Sequence, residues 1–237
     1  MKHLITLLLL FTSIISFAQK ITGDELLEKA IKFHDPKGNW ATFNAEFFVT
    51  METPKSSDRK SNIHINLPKE YFSMVAVKDT ITSEYVINKG VCSMAINGDK
   101  APSEEKKKQF GLSCERAKLY KNYYTYLYGL PMKLKDEGTI IHQKVTKKKF
   151  QGNEYLVLKV TYLKEIGKDT WYFYFNPKTY AMEVYQFFKD ESQKDGEYIV
   201  LSGLETINHI KIPKNRAWYY NKNDGYLGTD TLITKKE

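Results

Sequence analysis

The residues that could do chemistry are few and far apart. Cys92 and Cys114 are the two cysteines of the 237-residue chain. No CxxC motif is present and no His stands near either thiol in sequence, which argues against a catalytic cysteine. Two readings stay open: a disulfide, adding on the order of 3 kcal/mol by closing the loop between them, or a pair of buried free thiols. His34, His64, His142 and His209 make no pair at ligand spacing, so no metal is expected. His34-Asp35 reads as a dipole contact at a helix C-terminus. Asp24-Glu25 and Glu104-Glu105 fall in first turns of helices, where the macrodipole explains them. The segment Asn221–Gly225 hints at a calcium loop but would put Tyr220 and Lys222 at ligand positions. No G-x-S-x-G, P-loop, G-x-G-x-x-G or H-E-x-x-H occurs. The expectation is a protein with no catalytic residues, no metal and no cofactor.

What is abundant is aromatic surface: 17 Tyr, 13 Phe and 3 Trp, or 14% of the chain. It gathers in the stretch before Gly129 and in the segments from Asp169 to Phe188. Alternation puts Leu156, Leu158, Val160 and Tyr162 on one side of a strand. By the same rule Trp171, Phe173 and Phe175 share one side of the next, and Met182 and Val184 one side of the one after. Tyr172, Tyr174, Tyr185 and Phe187 then point the other way. A sheet open to water on one face would not carry rings on both. Either it curls around helices or its second face touches something else. The cavity lining expected is Trp171, Phe173, Phe175, Met182, Val184, Leu156 and Leu158, with Tyr124 from the helix above. In an alternative reading, outward Tyr172, Tyr174 and Tyr185 present an aromatic face to a protein or glycan.

The elements that position these residues are legible in outline. Residues 1–18 have the form of a secretory signal peptide: Lys2, an apolar run from Leu4 to Ile15, and Ser16-Phe17-Ala18 as a small-residue cleavage site. Cleavage after Ala18 predicts an exported protein of the periplasm or outer envelope. No other run is long enough to span a bilayer. The formal charge of +8 then reads as solvated lysines and a weak, salt-sensitive contact with anionic membrane surface, not as nucleic-acid binding.

Residues 19–237 read as a single domain and an expected monomer. Thr22 and Glu25 open a helix at capping-box spacing. From Trp40 the period becomes two, giving a meander of about five strands through Asn97. A helical insertion at about 102–129 follows, its longer helix capped by Ser113 and stopped by Gly129-Leu130-Pro131. Strands then return at Ile140–Lys148, Glu154–Lys164, Asp169–Asn176, Ala181–Lys189, Glu197–Glu205, Ile207–Ile212 and Arg216–Asn221, before a polar tail near Gly225–Asp230. The expected fold is α+β: a strongly curved antiparallel sheet, a half-open barrel, wrapped over the N-terminal helix and the insertion.

Several segments tag the chain: Asn122–Lys135, Asp169–Thr179, Asp195-Gly-Glu-Tyr198, Phe33-His-Asp-Pro36, Asn66–Phe72 and Trp218-Tyr-Tyr-Asn221. Together they resemble a family of exported bacterial proteins that carries only a domain-of-unknown-function label and assigns no catalytic residues. More loosely, the order helix, strands, helices, strands looks like the periplasmic lipoprotein-carrier superfamily (LolA/LolB-like). That resemblance implies a curved sheet around helices with an apolar cavity for acyl chains, and an Arg that gates it, for which Arg216 and Arg116 are the candidates. It implies a non-enzymatic envelope protein whose partner is an apolar, lipid or acyl-like ligand or another envelope protein.

Overall fold

A computed structural model describes residues 20–234. The expected leader and its cleavage site fall outside the described residues. Helix α1 (Gly23–His34) starts at the anticipated capping box, with Thr22 accepting from the Glu25 backbone and Glu25 answering the Thr22 N–H. The five-strand meander follows as β1 (Asn44–Thr53), β2 (Ser56–Asn66), β3 (Tyr71–Lys78), β4 (Ile81–Asn88) and β5 (Val91–Ile96). Then come α2 (Glu104–Phe110) and α3 (Cys114–Gly129), capped by Ser103 and Ser113.

The second block is β6 (Thr139–Ile141), β7 (Thr146–Phe150), β8 (Asn153–Tyr162), β9 (Thr170–Phe175), β10 (Met182–Phe188), β11 (Glu197–Ile207), β12 (Ile210–Tyr220) and β13 (Tyr226–Ile233). All pairings are antiparallel, in the order β5-β4-β3-β2-β1-β13-β12-β11-β10-β9-β8-β6, with β7 also on β8. The fold is α+β, and the sheet is not closed.

Three expectations need correction. The supposed polar tail is β13, the strand that joins the two meanders by pairing with both β1 and β12. Its inward positions are Gly228, Asp230 and Leu232, so its buried side is not apolar and alternation alone could not reveal it. Ile207–Ile212 and Arg216–Asn221 are not separate strands: the turn comes at Asn208-His209, and β12 runs unbroken past Pro213. Ile140–Lys148 is broken into β6 and β7, because residues 143 and 144 leave the sheet to meet the start of α1. There Gly23 N–H donates to Gln143 O at 3.0 Å, and Thr22 bridges Lys144.

Packing proves the curl. Along α3, Tyr120 meets Tyr85 of β4, Tyr124 meets Phe72 of β3, Tyr128 stacks on Phe47 of β1, Tyr123 stacks on Trp218 of β12, and Tyr126 meets Trp171 of β9. From β4 to β9 there are eight strand spacings, or about 38 Å if flat at about 4.8 Å each. One helix, about 10 Å across, touches both ends only because the sheet bends around it. A continuous core on this concave side takes in Leu26, Leu27 and Ala30 of α1 and inward residues of both meanders.

Most tag segments turn out to build joints. Asp35 Oδ1 and Oδ2 accept the backbone N–H groups of Asn39 and Trp40. Trp40 then covers Gly129 so closely that any side chain there would strike its ring, which accounts for the glycine in Tyr-Gly-Leu-Pro. Asn176 Oδ1 caps the β9–β10 turn through Lys178 and Thr179 N–H. Asn221 Nδ2 bonds Phe187 O and Asp195 O, next to Gly196, whose φ of +80° and contact with Phe187 O suit only glycine.

Candidate functional site

A cleft of about 560 Å³ opens between the outer flank of α3 and the far end of the second meander. Its floor is Trp171 with Tyr126 and Tyr162, and Ile166 stands at its lip, 62% exposed. Trp171 rests on Phe173 and Phe187, and Tyr126 packs edge-on against it. The Tyr126 and Tyr162 hydroxyls bond each other, so a mainly apolar floor keeps one satisfied polar point. Burial pushes both phenols up, Tyr162 to about 12, so they stay neutral donors. The rim is charged: Lys121, Lys133 and Lys168 against Asp136, Glu137 and Asp169.

The floor continues inward without a break. Phe173, Phe175, Leu158 and Tyr185 are wholly buried beneath it, with Leu156 and Met182 in the same core, whereas Tyr124 of α3 is buried against Phe72 of β3. Of the lining expected from sequence, Trp171 faces the cleft, and these residues form packed core behind it. Val184 does not join them. A register shift between Met182 and Val184 in the β9–β10 pairing inverts the alternation. Val184, 1% exposed, therefore packs with Tyr155, Val157 and Tyr174 on the convex side, and Tyr185 and Phe187 face inward instead of out. Of the three tyrosines expected to face outward, the bulge turns Tyr185 inward, while Tyr172 and Tyr174 stay on the convex side. Tyr185 is core, and Tyr174 is covered by Phe150 from the β7–β8 hairpin, which also packs on Tyr198. Only Tyr172 stays partly open, bonded to Glu191 and flanked by Lys148. The chain covers its own second face.

Beneath α3 lies a polar tie to which only the resemblance pointed, through the candidate Arg216. Arg216, on β12, is 1% exposed. Its guanidinium lies 3.8 Å over the Tyr128 ring and donates to Pro213 O at 2.8 Å and, across to the helix, to Leu127 O at 3.4 Å. Opposite it in register, Asp230 accepts from the Tyr123 hydroxyl at 2.9 Å. Burial pushes the Asp230 carboxyl up, opposed by Tyr123 and the two arginines Arg216 and Arg59. Arg216 Nε and the Tyr128 and Tyr185 hydroxyls are buried with no hydrogen-bond partner. Arg116, the other gating candidate, lies exposed on the opposite flank of α3.

Cys92 and Cys114 form a disulfide, Cα atoms 5.8 Å apart, tying edge strand β5 to the first residue of α3. His34 is not a charged dipole partner. It is fully buried, with Nδ1 on Lys211 O at 2.7 Å and Nε2 accepting the Met182 N–H at 3.0 Å. Desolvation holds its pKa at about 4, so it is a neutral staple joining α1 to β12 and β10. Among the described residues no group of three or more His, Cys, Asp or Glu could hold a metal, and no helix is long and apolar enough to cross a membrane.

An open antiparallel sheet bent over helices, with an aromatic cleft at its mouth, defines the class. The chain belongs to a family of unknown function, DUF6503, whose model matches residues 2–235. No curated protein matches the chain. Among solved structures it is similar to a LolA superfamily protein from Nitrosomonas europaea, with 11% identity over 90% of this chain and 92% of that one and a TM-score of 0.49. It is also similar to a putative outer membrane lipoprotein-sorting protein domain from Vibrio parahaemolyticus, at 12% identity, 90% and 92% coverage and a TM-score of 0.46. A DUF1329 family protein from Desulfovibrio piger gives 9% identity, 89% and 91% coverage and a TM-score of 0.48.

Proposed function

We propose that residues 19–237 form an exported, non-enzymatic binding protein of the cell envelope that holds an apolar, acyl-like ligand between the concave sheet and α3. The cleft carries this reading. At about 560 Å³ it falls within the roughly 300–1,000 Å³ of small-molecule sites, and its Trp171–Tyr126–Tyr162 floor runs directly into the aromatic core. The core beneath α3 is filled, so a chain entering past Trp171 displaces α3, and the Arg216–Leu127 bond is the clasp that opens. The two ends of α3 suit that motion, because its start is held covalently to β5 while its far half borders the cleft. The formal charge of +8 on the whole chain favours a brief, salt-sensitive approach to anionic membrane.

The test is direct. Residues 19–237 purified from their native host are extracted with organic solvent for mass spectrometry, and the stripped protein is titrated with a fluorescent fatty acid. Co-purified lipid and saturable one-to-one uptake are expected. Absence of both overturns the reading.

A further inference from the structure

Three cations that make no direct ion pair among the described residues meet on the other flank of α3, and Asp230 acts on one of them, Arg59, through space. A second pocket, of about 300 Å³, lies between β2–β4 and the start of the helix. Arg59, Lys78 and Arg116 all line it, and the single carboxylate among its walls, Asp79, pairs with none of them: no ion pair reaches these three cations among the described residues. Arg59 is the most constrained. One terminal nitrogen donates to the Tyr124 hydroxyl at 3.2 Å and its guanidinium sits 5.6 Å over the Tyr120 ring, but its Nε is buried without a partner. Arg116 is held in place by packing against the backbone of Gly111, from which an added Cβ would lie 3.2 Å from the guanidinium carbon. Lys78 leans on Ser56 Oγ at 2.6 Å.

Three like charges around one cavity repel one another, and a buried, unpartnered guanidinium nitrogen is costly. One anion in the cavity offsets that repulsion. Guanidinium pairs fit the oxygens of phosphate and carboxylate in particular. The remaining wall is Tyr85, Tyr120, Phe110, Ala76 and Ile81 with one hydroxyl, Ser83, so it is mainly aromatic and aliphatic and matched to an organic body behind the charge.

We infer that this pocket is a binding site for a phosphate or carboxylate group, taken between Arg59, Arg116 and Lys78. It stands on the flank of α3 away from the cleft, so it does not rest on acyl-chain uptake and can hold or fail independently of it. The experiment is calorimetric titration of residues 19–237 with dodecyl phosphate, decanoate, inorganic phosphate and, as the neutral control, dodecyl maltoside. Dodecyl phosphate or inorganic phosphate should bind, with affinity reduced at least tenfold by Arg116→Gln and by Lys78→Gln. Both side chains are exposed, so melting curves should confirm that each variant folds. Arg59→Lys, which keeps the charge and loses the fork, should weaken binding while leaving the fatty-acid probe's uptake through the Trp171 cleft unchanged. If alkyl phosphate binds and inorganic phosphate does not, the anion is the head of an amphiphile. If both bind equally, it is a free anion, and the site still stands. Anion binding indifferent to Arg116→Gln and Lys78→Gln, or no binding of either phosphate, would overturn it.

Discussion

Strands β8 to β10 carry rings on both sides, and the two sides serve different ends. The concave side is continuous with the core of the whole molecule and ends at an open cleft, with Trp171 at the boundary between them. The convex side holds a small cluster, Tyr155, Val157, Tyr174 and Val184, sealed by Phe150 and Tyr172 from the same block. Its hydroxyls are spoken for locally, Tyr174 by Gln186 at 2.7 Å and Tyr172 by Glu191 at 2.8 Å. Aromatic content alone therefore marks no site. What distinguishes the sides is how far the chain supplies its own cover: the concave side opens on the cleft of about 560 Å³, the convex side on a pocket of about 120 Å³ beside Tyr155.

The largest expected effect breaks the concave side. Phe173→Ala removes a ring with no exposure, and a loss of about 3–5 kcal/mol is expected in urea unfolding. A loss below about 1 kcal/mol would mean that the interior is already loose.

The staple that fixes α1 over this side is next. His34 holds a folded pKa of about 4 against its ordinary 6.5. The unfolded chain takes up a proton below 6.5 that the folded chain refuses until about 4, so its contribution is intact above pH 6.5 and declines as pH falls between these values. The loss amounts to about 3 kcal/mol. Unfolding free energies at pH 7 and 4.5 should fall more steeply for the native protein than for His34→Gln, which is weaker at pH 7 but flatter. Parallel slopes would remove the assignment. Replacing Cys92 and Cys114 together by Ser should cost about 3 kcal/mol through the freed loop and should loosen the start of α3, read by faster amide exchange in residues 114–120. The smallest effect belongs to the convex side: Val184→Ala should cost about 1–2 kcal/mol and leave ligand uptake untouched.

Alternation revealed the first meander and the inward row Trp171, Phe173 and Phe175, because most inward positions there are apolar, with Arg59 and Ser61 of β2 the exceptions. It failed wherever the period was interrupted or the inward residue was polar. One bulge after Met182 moved Val184 out and Tyr185 in. In β13, Asp230 occupies a buried position where a hydrophobic residue would have announced a strand. Tyr126, Tyr162 and Ile166 were missed as a group because they come from a helix, a strand end and a turn that meet only through the curl of the sheet. Arg216 was singled out by resemblance, while its stacking on Tyr128 needed the fold.

The most direct measurement is photo-crosslinking of residues 19–237 with a diazirine-bearing fatty acid, followed by peptide mapping. Saturable labelling centred on Trp171, Tyr126, Tyr162 and Ile166, competed by unlabelled fatty acid and lost in Trp171→Ala, is the predicted result. Labelling centred on Tyr155, Val157 and Val184, or no saturable labelling at all, would contradict it.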